Sequence, residues 1–336
     1  MLRIHFTGED LVGTRVAPSA DPLWEILLSL HVLQRPAGQR PNGPWRRQLN
    51  QRLLAANHAE WIAPTRKLLP LAPVAGYNPD FLTPIQGLLG LEEAIATILA
   101  TPEDRLHREL RLLAEAGHGV PADEARSQGA PAFLASLAEA LRRYHRLTLA
   151  PFWSHVQTLV RTDRAVRERH LLEGGVELLL ARMGPRMHWT RPVLRVDYPN
   201  DRDVHLGGRG LLLVPSYFCE GTPVGPADPT LPPVLVYRVD RSGARPATRG
   251  ARQHLASLLG ATRAAVLMAA TTTRSTTALA RLIGVSIATA SYHLSVLRDA
   301  DLVSSRRQAN VVHHTVTPLG LSLLNGVEDP STHLGV

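Results

Sequence analysis

The densest group of side chains able to engage another molecule lies in RSTTALARLIGVSIATASYHLSVLRDADLVSSRRQANVVHHTVT, residues 274–317. Thr289, Ser291, Tyr292, His293 and Ser295 crowd into two helical turns of this stretch. All are short or planar polar groups that can donate and accept hydrogen bonds at base edges and phosphates without blocking the major groove of a duplex. Arg306 and Arg307 follow between two β-prone segments, LVSS and VVHHTVT, where guanidiniums would suit phosphates or a minor groove.

Such groups act only if local structure holds them outward. Ser275 can cap a helix running to Ile283 with Leu279, Leu282 and Ile283 facing inward, and Gly284 can take the left-handed conformation that ends it. Ser286 can cap a second helix by accepting the amide near Thr289, with Ile287, Ala290, Leu294 and Leu297 as its buried stripe. On this layout Thr289, Ser291, Tyr292 and His293 read bases, flanked by Ser295. Ser275, Thr276, Ser286 and Arg298 position the backbone, and Arg306 with Arg307 hold a wing. Arg298, near a helix C-terminus, could equally serve the helix dipole or an ion pair.

The stretch resembles the winged helix of ArsR/SmtB-type regulators. The resemblance rests on small residues followed by a Ser-x-His-Leu step at Ser291 to Leu294, then Leu297-Arg298, Leu302-Val303 and Arg306-Arg307. It implies a sequence-specific DNA-binding transcription regulator. The segments FTGEDL, PLWEILLSLHVL and GGRGLLLVPS resemble an uncharacterised leader domain of a bacterial subfamily of these regulators, which implies architecture more than chemistry. Many such relatives sense metals through a Cys-x-Cys pair before the recognition helix, but TTALARL stands there with no cysteine. His313 and His314 alternate along a strand and cannot readily share one ion, so they are expected at the wing surface or near DNA.

Composition agrees with an acidic partner. The formal net charge is +8, and from Arg241 onward ten arginines face four acidic residues, which concentrates a positive field there. The single cysteine, Cys219, rules out a disulfide or thiolate cluster within the chain. No run approaches the roughly 18 apolar residues a membrane helix needs, and the N-terminus lacks a signal-peptide layout. A cytoplasmic, nucleoid-associated protein without membrane contact is expected.

The fold class expected is α+β. Residues 1–240 form an effector or dimerisation domain, helical to about 186, with helices in DPLWEILLSLHVLQ (from Asp21), WRRQLNQRLLAANHAEWIA and EDRLHRELRLLAEAG (to Gly117). A small sheet follows at about 187–240, built from PVLRVDY, DVHL, GLLLVPSYF and PVLVYRVD, and LRIHF at residues 2–6 can be a short strand. Residues 241–250 are a linker, 251–325 the winged helix-turn-helix, and 326–336 a tail.

Trp153 and His155 could line a pocket for a small-molecule effector or simply pack the core. Gly207, Gly208 and Gly210 read as a tight turn, since no phosphate-binding lysine follows them. Asp197, Asp201 and Asp203 read as turn formers. No GxSxG, HExxH or paired Cys and His is present, so neither an enzyme nor a metal or cofactor site is expected. The partners expected are double-stranded DNA, a second copy in a homodimer bound to an inverted repeat, and an effector, with repression as the outcome. The alternative is a large domain that is catalytic or purely protein-binding, with the winged helix as an accessory.

Overall fold

The computed structural model describes residues 1–35, 43–55, 58–118, 120–240, 255–271, 274–308 and 311–325. The chain divides into two compact units, Met1–Val239 and Asp240–Val336. The fold is α+β. The expected linker at 241–250 and tail at 326–336 lie outside the described residues.

In the first unit, β1 (Leu2–His5) leads through α1 (Gly8–Gly13) and β2 (Arg15–Val16) to α2 (Pro22–Gln34). Asp21 caps α2, its Oδ1 accepting the amides of Leu23 at 2.8 Å and Trp24 at 3.2 Å, with Pro22 preset for the first turn. Every residue from Pro22 to Leu30 is buried, so α2 is a central helix that meets solvent only in its last turn. Glu25 therefore sits in the core, where a carboxylate survives only if fully hydrogen-bonded. It accepts the Ser216 hydroxyl at 2.9 Å and the amides of Tyr217 and Phe218 at 2.7 and 3.0 Å.

The helical body continues with α3 (Gly43–Ala55), α4 (His58–Leu68), α5 (Leu91–Leu99), α6 (Glu103–Glu115), α7 (Val120–Gln128), α8 (Ala130–Tyr144) and α9 (Trp153–Ala181). The stretch expected as one helix from Trp45 to Ala63 is helical in both α3 and α4, with residues 56–57 outside the described residues. Gly174 and Gly175 leave helical geometry within α9, Gly175 at φ +66°, which kinks it. Turns and short 3-10 segments occupy the Pro- and Gly-rich stretch PVAGYNPDFLTPIQG at 73–87.

The expectation of one sheet confined to 187–240 needs correcting. Two sheets form, and each takes in a strand from the first sixteen residues. One has the order β3 (Met187–Thr190), β4 (Val193–Val196), β1, β5 (Arg202–His205), with β1 antiparallel to β4 and parallel to β5. The other is the parallel set β2, β6 (Leu212–Ser216), β7 (Val234–Arg238). β6 is buried at every position, as an apolar run in a covered parallel sheet should be.

Asp203 is not a turn residue but a β5 residue. It takes the Arg3 guanidinium at 2.7 Å and His5 Nε2 at 2.8 Å across the β1–β5 pair, and these partners hold its carboxyl below the usual range. The glycine turn is as expected: Gly207, Gly208 and Gly210 all have positive φ, and a Cβ at Gly210 would collide with the backbone of Gly13.

The second unit follows an apolar segment at 255–259 with α10 (Ala261–Ala269), β8 (Arg274–Ser275), α11 (Thr276–Ile283), α12 (Ile287–Asp299), the antiparallel pair β9 (Val303–Gln308) and β10 (Val311–Val316), and α13 (Pro318–Asn325). Its core joins Leu267, Leu279, Leu294, Leu297, Val303 and Val316.

Glu25→Ala leaves a hydroxyl and two amides buried without an acceptor, and should destabilise the first unit by about 3 kcal/mol or more. Urea unfolding followed by tryptophan fluorescence measures this directly, because all five tryptophans precede residue 240. An unchanged midpoint would mean that Glu25 does not hold α2 to the β6 turn.

Candidate nucleic-acid interface

Two capped helices and a glycine turn build the site. Ser275 Oγ accepts the Ala278 amide at 3.3 Å and starts α11, while Gly284 at φ +74°, ψ +35° ends it. Ser286 Oγ accepts the Thr289 amide at 3.0 Å and starts α12, and the two helices meet at a bend of 110°. That angle lies within the range that lets a second helix project into a groove while the first braces it.

The buried stripe of α12 is narrower than expected. Ala290, Leu294 and Leu297 are buried, but Ile287 is 55% exposed, because the first turn of α12 projects beyond the apolar cluster. In α11 the covered face runs through Leu279, Ala280 and Ile283, which turns Leu282 aside to 58% exposure.

The expected contact residues divide into two groups. Ser291 and Tyr292 are exposed on α12, Tyr292 at 61%, and Ser295 is half-buried with its hydroxyl on the Tyr292 carbonyl at 3.1 Å. Ser286 is exposed and Thr289 half-buried, and their hydroxyls bond each other at 2.8 Å. His293 stands three residues after Ala290 and four before Leu297, on the flank of the buried stripe, with Nδ1 shielded and unpartnered. The outward face accordingly centres on Ser291, Tyr292 and Ser295, with Ile287 and Ala288 exposed at its N-terminal end. Ile287 escaped sequence reading because an apolar residue at helical spacing looks like core. Arg298 is exposed in the last turn with Asp299 at 3.7 Å.

Thr276 and His314 correct the expectation further. His314 is buried at 5% exposure, not at the wing surface. Its Nε2 meets the Thr276 hydroxyl at 2.9 Å and its Nδ1 the Ser305 hydroxyl at 2.8 Å. The Thr276 hydroxyl is thereby committed inside the protein, as the Ser275 hydroxyl is to its cap. Burial, aided by the Arg298 and His313 charges, lowers the imidazole's affinity for a proton.

Arg306 and Arg307 are exposed on β9, opposite His313 and Val312. As neighbours in a strand they point to opposite faces of the wing, so they do not form a paired clamp on one phosphate. Trp153 and His155 sit in an aromatic group of the first unit. Trp153 stands edge-on to His145 at 5.4 Å, and His155 lies 4.7 Å from Phe152 and 5.8 Å from Tyr217. Neither lines the clefts found beside Arg202 and Arg209 or beside Phe6 and Trp189. Among the described residues no group of His, Cys, Asp and Glu is placed to hold a metal ion, and no single helix is long and apolar enough to cross a membrane.

The His314 contact makes stability pH-dependent. The unfolded chain takes up a proton near the ordinary imidazole value of 6.5 while the folded unit resists it. Stability is therefore full above that pH and falls as the pH drops below it. Hydrogen exchange across residues 274–316 should accelerate between pH 7.5 and 5.5, beyond the intrinsic rate change, in the native chain and not in His314→Gln. Equal behaviour of the two would exclude His314 as the titrating group.

A family model described as a helix-turn-helix domain matches residues 255–306, from the segment before α10 through α12 into β9. No curated protein and no solved structure matches the chain significantly. The second unit therefore carries a C-terminal helix-turn-helix, which supports a DNA-binding regulator in the general sense.

Proposed function

We propose that the protein is a sequence-specific transcription regulator of the ArsR/SmtB kind, acting as a cytoplasmic repressor on an inverted-repeat operator. One observation carries this reading. α12 is capped at Ser286, held by Ala290, Leu294 and Leu297, and turns Ser291 and Tyr292 outward beside a two-stranded wing bearing exposed arginines. One helix reads only a few base pairs, so a homodimer with half-sites about one helical turn apart follows. The large unit would carry dimerisation, effector sensing or both, and no catalysis. An effector would favour a dimer whose reading heads no longer match the half-site spacing.

Fluorescence anisotropy of the full chain on its own upstream duplex and a scrambled one, across salt, tests the reading. A preference of about 10³ for the native duplex is expected, and equal binding to both would contradict it. Because Arg306 and Arg307 face opposite ways, one of the two single alanine variants should flatten the salt slope by about 0.9 and the other should leave it. Unchanged slopes in both would remove the wing from the interface.

A further inference from the structure

The reading face of α12 is unusual in what it lacks. Its exposed and half-exposed positions over the first three turns are Ile287, Ala288, Thr289, Ser291, Tyr292, His293, Ser295 and Val296. None is Arg, Lys, Asn, Gln, Asp or Glu. The bidentate pairings that pick out guanine with Arg or Lys, and adenine with Asn or Gln, are therefore unavailable along this face. Hydroxyls both donate and accept, so they fix position but discriminate weakly between bases.

His293 stands on the flank of the buried stripe with Nδ1 shielded, so what remains for base identity on the outward face is chiefly shape and apolar contact. Ile287 occupies the first position of α12, directly after the Ser286 cap, with Ala288 exposed beside it. The N-terminal residues of a recognition helix are those that reach base edges. A branched aliphatic side chain 55% exposed there is best matched by an apolar group on the DNA, and the major groove displays one, the C5-methyl of thymine.

Building on the DNA-binding reading above, we infer that Ile287, with Ala288 beside it, recognises a thymine methyl in the major groove. The regulator thus reads thymine-bearing half-sites chiefly by apolar contact. Ile287 is a specificity determinant, while Ser291 and Tyr292 orient the helix over the site.

The test uses the full-length chain and a duplex enriched by it from a randomised pool. Each thymine of the enriched site is replaced in turn by deoxyuridine, which keeps base pairing and O4 and removes only the methyl. At one or more positions the native chain should lose about fourfold in affinity, the worth of one methyl-sized contact. Ile287→Ala should already bind the thymine duplex that much more weakly, and should lose nothing further on deoxyuridine substitution at that position. Ile287 lies outside the apolar cluster, so the variant should keep the parent's thermal stability.

An enriched site indifferent to every deoxyuridine would overturn the inference while leaving sequence-specific binding intact. Full deoxyuridine sensitivity in Ile287→Ala would also overturn it, as would a change in self-association without any change in DNA preference, since Ile287 would then be covered by protein. A pool in which no site is enriched would overturn the regulator reading itself, and this inference with it.

Discussion

The reading head depends on the placement of one imidazole. His314 lies on β10 and bridges the Thr276 hydroxyl at the start of α11 to the Ser305 hydroxyl on β9. A neutral ring, with one nitrogen donating and the other accepting, satisfies both hydroxyls in either tautomer. Through that contact the wing is registered against the helix that braces α12. The contact also decides which polar groups are left to meet a duplex: Thr276 is committed internally, whereas Ser291 and Tyr292 remain outward. A protonated ring would need both hydroxyls as acceptors, in a site whose burial and neighbouring positive charge already oppose protonation.

The first unit is organised by a related rule on a larger scale. Buried carboxylates hold distant backbone segments by accepting their amides. Asp10 takes Gly210 at 3.0 Å, Asp80 takes Ala227 and Asp228 at 2.8 Å each, Glu109 takes Phe81 at 2.8 Å, and Glu25 takes Tyr217 and Phe218. Asp163 gathers the Tyr237 hydroxyl at 2.6 Å and the Arg167 guanidinium at 3.0 Å. Apart from the Arg167 pair, which lies within α9, each contact ties a helical segment to a strand or loop elsewhere in the chain. Such groups are strongly destabilising when one partner is removed, which makes them structural anchors and no sign of catalysis by themselves.

Local signals were the legible part of the sequence. Asp21 before a proline, Ser275 and Ser286 before apolar runs, and Gly284 after one all act within four residues of themselves, and each cap forms where its residue type requires. The partnering of β1 and β2 was not legible, because their mates lie near residues 196, 202 and 212 and strand pairing leaves no periodic trace across such a separation. Alternation along β10 correctly separates His313 from His314, yet cannot say which face α11 covers. Ile287 misled because helical spacing reports the direction of a side chain and not whether a neighbour reaches it. A sign for Glu25 was present: a lone carboxylate inside PLWEILLSL, a run apolar on all sides, has to find buried donors.

The central claim, that α12 presents its outward face to the bases of a duplex, is tested most directly by photo-crosslinking. A benzophenone amino acid at position 292 of the full-length chain would report contact with DNA, and the same group at position 172 would serve as control. Leu172 is 89% exposed in the first unit, where no DNA contact is assigned. The account predicts covalent adducts to bases from position 292 and none from position 172. Bound DNA that yields no adduct at position 292, or equal adducts at both positions, would contradict it.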